Sequence, residues 1–182
     1  LKETAQNMHG AVIGGFFEDT PGHAMPGEEL GMSVQLALVK KGNPWKYAGP
    51  ASLAGKKVGQ IEGYTSGGGV DEYLAKNPGQ VVTVGGDDPL PALLRKLLLG
   101  EVDVIFEDSF VYAHKSLELK LTDKVQEAGR MPGKPVYIAF APGKSESKKY
   151  AEMFTAGMRE LRSSMKLAGI LKKYGIADWK KP

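Results

Sequence analysis

The 182 residues, 42% of them hydrophobic, suffice to bury the core of one large domain or two small ones. The formal net charge of +3 comes mostly from lysines scattered singly or in pairs such as Lys56-Lys57 and Lys148-Lys149, a solvated surface rather than the basic, aromatic-laced stripe of a nucleic-acid binder. Zero cysteines exclude disulfides, thiolate zinc sites and cysteine nucleophiles and leave the compartment open; no apolar run approaches a membrane span, and the opening LKETAQNMHG lacks the basic start and apolar stretch of a secretory signal.

In chain order, Lys2 to Met8 reads as the end of a helix stopped by Gly10, and Ala11 to Phe17 as a strand. Residues 32–39, MSVQLALV, form a long extended run. From 58 to 127, short β-branched runs alternate with amphipathic segments, the signature of βαβ units on a parallel sheet. Val58–Ile61 is the first of these strands, followed by a helix from about Gly68 to Lys76 that Asn77-Pro78-Gly79 ends. Val81–Val84 is the second strand. The next helix has Asp88 placed to cap it, Pro89 in its first turn and Leu90, Leu93, Leu94, Leu97 and Leu98 as one apolar stripe before Gly100. Val102–Phe106 is the third strand, Asp108 to about Leu117 a third helix, and Val125–Ala128 a weaker strand. A second extended run, residues 136–140, leads into a helical end. There Tyr150, Met153, Phe154, Gly157, Met158 and Leu161 share one face, and Leu167, Ile170, Leu171 and Tyr174 share another closed by Gly175; both stripes are read as core.

In an open parallel α/β sheet, ligands bind beyond the carboxyl ends of the strands where the strand order reverses. Three loops leave strand ends here, EGYTSGGG, GGDDP and EDSF. With strand order 2-1-3, the first and third flank the reversal, so Thr65, Ser66, Gly67 and Asp108 face one crevice. Loop amides at a helix start and glycines that admit close approach suit an anionic group, most simply a carboxylate. A P-loop is excluded, because Val70-Asp71 stands where Lys-Ser or Lys-Thr is needed, and a dinucleotide fingerprint fails because Glu72 takes its last glycine position. The bland alternative is a flexible helix start with no ligand. Asp108 reads either as a helix N-cap or as the acceptor for a ligand ammonium, whereas Asp88 before Pro89 reads as a cap. His9, His23 and His114 have no partner at metal-ligand spacing and there is no G-x-S-x-G elbow, so no catalytic residue, metal or cofactor is expected.

The order SLAGKKVGQIEGYTS, LLRKLLLGEVDVIFEDSFV, VYIAFAPGKS and GMRELRSSMKLAGILKKYGIADW resembles the extracytoplasmic solute-binding proteins of bacterial ABC importers, amino-acid-binding family 3. Its most specific pieces are Ser52-Leu53-x-Gly55-Lys56, Leu98-x-Gly100-x-x-Asp103 and Ile170-Leu171-x-x-Tyr174-Gly175. The resemblance implies the α/β fold of periplasmic binding proteins type II, two Rossmann-like lobes that close on a ligand like a clamshell. Residues 1–40 with 141–182 would form the first lobe, 42–134 the second, and 32–40 and 135–141 the hinge crossovers. Tyr64, Thr65 and Ser66 would cradle the ligand carboxylate beside Gly67, Asp108 would accept its α-amino group, and Phe17 would be a further contact.

This sequence departs from the family in two ways. Family members open with strands and helices before the segment that starts at Leu1, so the chain is expected to be part of a longer protein with an incomplete first lobe. Free-amino-acid binders also carry a Thr-x-x-Arg carboxylate clamp before the first crossover, where this chain has EDTPGHAMPGEELGMSV without arginine. The expected function is a receptor for a small polar solute, an amino acid or related compound, in the periplasm or on a cell-surface lipoprotein, with a signal peptide removed. Its partners would be the solute and an importer's membrane permease, not nucleic acid. It would be a monomer at full length and a dimer as a fragment. The alternatives are a ligand-sensing domain of a transcription regulator or sensor, and a dehydratase-type enzyme on the same fold.

Overall fold

The computed structural model describes residues 2–174 and 176–180, so the expected stop at Gly175 lies outside the described residues. The elements in chain order are α1 (Lys2–Ala5), β1 (Ala11–Gly15), β2 (Gly31–Ser33), β3 (Gln35–Lys40), β4 (Val58–Ile61), α2 (Val70–Lys76), β5 (Val81–Val84), α3 (Pro89–Leu99), β6 (Val104–Asp108), α4 (Ser109–Glu118), β7 (Val125–Arg130), β8 (Lys134–Phe140), α5 (Ser147–Ser163) and α6 (Lys166–Lys172). The chain divides into two units, Leu1–Ser33 with Lys134–Pro182, and Val34–Gly133. The extended run at 32–40 is accordingly two strands: β2 pairs with β8 in the first unit, and β3 pairs with β6 and β7 in the second.

The second unit is a five-stranded sheet of order β5-β4-β6-β3-β7. Its parallel part, β5-β4-β6, has the 2-1-3 order on which the shared crevice depended, and β3 joins it antiparallel. Because side chains alternate across a strand, Leu36 and Leu38 enter one core with Ile61, Ile105 and the α3 leucines, while Ala37 and Val39 enter the other with Val58, Val70, Leu74, Val104 and Phe106. Helix α3 buries Leu90, Leu93, Leu94 and Leu97, each contributing roughly 1.5–3 kcal/mol of transfer free energy. It lies so close to β4 that a Cβ at Gly59 would stand 2.6 Å from Leu93 Cδ1 and 2.9 Å from Ile105 Cγ2.

Boundaries shift where side chains take over from the ladder. Strand β6 starts at Val104, not Val102, because Asp103 turns aside to accept the Lys57 amide on its carboxylate at 2.7 Å. Helix α2 starts at Val70, not Gly68, because Gly67, Gly68 and Gly69 sit at φ of 70°, 58° and 79°, left-handed values that an α-helix does not admit.

The first unit holds a three-stranded antiparallel sheet, β1-β8-β2. Strand β1 ends at Gly15, where its register against β8 slips, and Phe17–Asp19 is a 3-10 turn rather than more strand. Helix α1 ends at Ala5, short of the expected Met8. Helix α5 packs against β8 and α6. The packing covers Ala151 and Met158 but leaves Tyr150 at 50% and Met153 at 59% exposure, so the stripe read as core is core only along that line. The same holds on α6, where Leu167 is buried and Ile170 is exposed, as is Tyr174 beyond it. Glu28 and Glu29 are buried and tie the chain end to α5: Glu28 takes Arg159 and Arg162 at 3.0 Å and Lys180 at 2.6 Å, and Glu29 takes the Trp179 indole N–H at 2.7 Å.

Candidate functional site

The carboxyl ends of β4 and β6 are neighbours in the second unit's sheet, and this is where the strand order reverses. The loop from β4 to α2 and the β6–α4 junction leave from these ends. That brings Tyr64, Thr65, Ser66 and Gly67 to one end of the sheet with Asp108, while Phe17 belongs to the other unit. Phe17 is exposed, with its ring 6.4 Å from that of Tyr137 in an edge-on arrangement.

The loop is shaped by its glycines and by two polar side chains that sequence reasoning missed. A Cβ at Gly68 would stand 2.6 Å from the Met131 sulfur, so backbone and thioether share a space only glycine leaves open. The amides of Ser66 and Gly67 point inward and donate to the Asp71 carboxylate at 2.9 and 2.7 Å. The Gln60 amide donates to Asp71 Oδ1 at 3.4 Å and to the Tyr64 carbonyl at 3.2 Å, fastening β4 to both ends of the loop. The expectation that these amides stand open for a carboxylate is therefore corrected: a carboxylate of the chain itself is already there. The signal was present in the acidic residue in the first turn after the glycines, which sequence reasoning used only to exclude a P-loop. Tyr64 and Thr65, by contrast, are exposed.

Of the two aspartates, Asp108 makes the cap that was one of its two readings, while Asp88, read as a cap, makes no capping bond. Asp108 caps α4, its Oδ1 accepting the Phe110 amide at 2.9 Å and the Val111 amide at 3.4 Å, while Oδ2 accepts the Val34 amide at 3.3 Å. Asp88 stands at the N-cap position of α3 with no side-chain capping bond and turns to Lys115 of α4 at 3.2 Å. Pro91 contributes to the difference: a cap accepts from the second or third amide of the helix, and the third position of α3 is a proline with no N–H, whereas α4 offers Phe110 and Val111. Next to Asp108, burial pushes the Glu107 carboxyl up from its ordinary value, against the lowering effect of the Asp108 amide that Oε1 accepts at 2.8 Å. No Lys, Arg or His among the described residues forms an ion pair with Glu107.

His9 pairs with Glu3 at 2.9 Å and His23 Nδ1 lies 3.3 Å from the Pro21 carbonyl. Among the described residues no three His, Cys, Asp or Glu side chains gather as a metal-binding group. No helix among them is long and apolar enough to cross a membrane.

No family model matches the chain, and no curated protein does. Solved structures do. The arginine-, lysine-, histidine-binding protein ArtJ from the thermophilic bacterium Geobacillus stearothermophilus aligns at TM-score 0.70 and 19% identity, over 98% of this chain and 75% of that one. A structure from work on glutathione import via GshT and the cystine ABC importer TcyBC of Streptococcus mutans aligns at TM-score 0.74 and 16% identity, over 99% and 75%. A histidine kinase sensor domain with similarity to periplasmic binding proteins aligns at 0.68 and 19%, over 95% and 72%. The fold is the α/β fold of periplasmic binding proteins type II.

Proposed function

We propose that the chain belongs to an extracytoplasmic receptor, periplasmic or lipid-anchored at the cell surface, that binds a small polar solute and hands it to the membrane permease of an ABC importer without chemistry of its own. The observation that carries this reading is the 2-1-3 order of β5-β4-β6, which sets the 63–69 loop and Asp108 at the reversal point of a fold shared with amino-acid-binding proteins. Tyr64, Thr65 and Asp108 in the second unit and Phe17 in the first are the proposed contacts. Ser66 and Gly67 form part of the loop wall, their amides being taken by Asp71.

A thermal-shift panel of amino acids, polyamines, carboxylates and short peptides tests the reading. At a solute concentration of ~100 times Kd, specific binding adds about 2.7 kcal/mol of stability and raises the melting temperature. A flat response across the panel would remove the proposal. The likeness to a histidine kinase sensor domain favours a second reading, a sensor of the same kind of solute. Binding of the solute-loaded protein to an importer permease separates the two, since a sensor has no such partner.

A further inference from the structure

We infer that Asp71 determines what the loop accepts: as a built-in anion it fills the pocket of loop amides, so the solute presents a hydroxyl, amide or amine to the second unit and not a carboxylate. This rests on the proposal that the 63–69 loop faces the solute. The pocket is specific in its geometry. Two consecutive amides, Ser66 and Gly67, converge on the two oxygens of one carboxylate at 2.9 and 2.7 Å, within the range of charge-assisted hydrogen bonds, and the Gln60 amide holds the carboxylate from a third direction. The left-handed conformations of Gly67, Gly68 and Gly69 bring Asp71 back over the loop it follows.

An incoming carboxylate meets two obstacles. Asp71 is tethered a few residues away and competes intramolecularly, so a free carboxylate has to exceed the effective concentration set by that short tether. If displaced, it would also leave its charge beside the newcomer, and like charges in one pocket disfavour each other. The surrounding groups do not offset this. Glu62 lies against Gly85, Glu107 and Asp108 end β6, and the cations of β7 and α4 are already held: Arg130 by Glu127 at 2.6 Å and Lys115 by Glu118 and Asp88 at 3.1 and 3.2 Å.

The test follows the Ser66 and Gly67 amide resonances by NMR, with sodium acetate as the probe. In the parent protein the two amides should stay unmoved on addition of acetate. In Asp71→Ala, acetate should shift both amides saturably, with an affinity at least about tenfold above any seen in the parent. Two results would each overturn the inference: acetate moving the amides equally in parent and Asp71→Ala, or the amides of Asp71→Ala ignoring acetate. Asp71→Asn retains the side-chain shape and one acceptor but removes the charge, so acetate should move the two amides more readily there than in the parent, which covers a failure of the alanine variant to fold. The readout needs no solute, so a flat solute panel would remove the receptor reading and leave this result standing, and the reverse holds equally.

Discussion

The Oδ2 atom of Asp108 accepts the backbone amide of Val34 at 3.3 Å, a bond between residues 74 positions apart in sequence. The other oxygen caps α4, so one side chain closes a helix and fixes where β3 begins. Asp108→Ala should therefore cost about 1 kcal/mol or more of stability, since losing a cap typically costs that much and the Val34 amide loses its acceptor as well. Asparagine caps as well as aspartate does. Asp108→Asn keeps one oxygen for the cap but turns its amide nitrogen to the Val34 amide, so it should melt between Asp108→Ala and the parent, and if Asp108 takes a solute ammonium it should weaken binding about tenfold. Thermal melts and calorimetry on both variants separate the roles.

Asp88→Ala is the contrasting case. Its side chain is 64% exposed and makes an ion pair in place of a cap, so denaturant unfolding should place the variant within about 0.5 kcal/mol of the parent. A loss above about 1 kcal/mol would show that capping operates there after all.

Gly59→Ala forces a methyl group into Leu93 and Ile105. Overpacking of this kind costs roughly 1–3 kcal/mol. Shortening the side chain it meets should relieve part of the strain, so Leu93→Val added to Gly59→Ala should cost less than the sum of the two single changes, measured by urea titration.

The Glu28 carboxyl is held down to about 2 by hydrogen bonds from Lys180 and Arg159. A depressed acid contributes stability that is complete above its ordinary value near 4.5 and is lost as pH falls toward about 2. The melting temperature of the parent should fall through that window more steeply than that of Glu28→Gln, which has already lost the charge. Parallel acid limbs in the two proteins would rule this out.

Glu107 has the opposite sign. Burial raises its carboxyl, so its contribution to stability is present below the ordinary value and is lost as pH rises through the raised one. Glu107→Gln keeps an acceptor for the Asp108 amide and removes the desolvated charge. It should melt higher than the parent at neutral pH and no higher in acid; a lower melting temperature at neutral pH would mean that the ionised carboxylate has a stabilising partner.

The second unit was largely legible in the sequence because its signals are local. The β-branched runs at Val58–Ile61 and Val81–Val84, the leucine repeat of α3 and the glycine at position 100 each specify an element through a few neighbouring residues, and the observed bounds of those two strands coincide with the expected ones. The βαβ alternation is compatible with more than one strand order; the 2-1-3 order is the one the fold adopts, and with it the loops expected at an order reversal are found there. Tertiary structure decided which backbone and side-chain groups satisfy one another. Three glycines with hydroxyl neighbours are compatible with an open anion pocket or with a closed turn, and only the folded path of Gly67–Gly69 showed that Asp71 returns to fill it. The roles of Asp88 and Asp108 likewise depend on Lys115 and Val34, partners that helix-start rules do not consider. The apolar faces of α5 and α6 were legible as faces, but how much of each is buried depends on the width of the element packed against it. Periodicity carries no information about that width, so Met158 and Met153 look alike in sequence and differ tenfold in exposure, 6% against 59%.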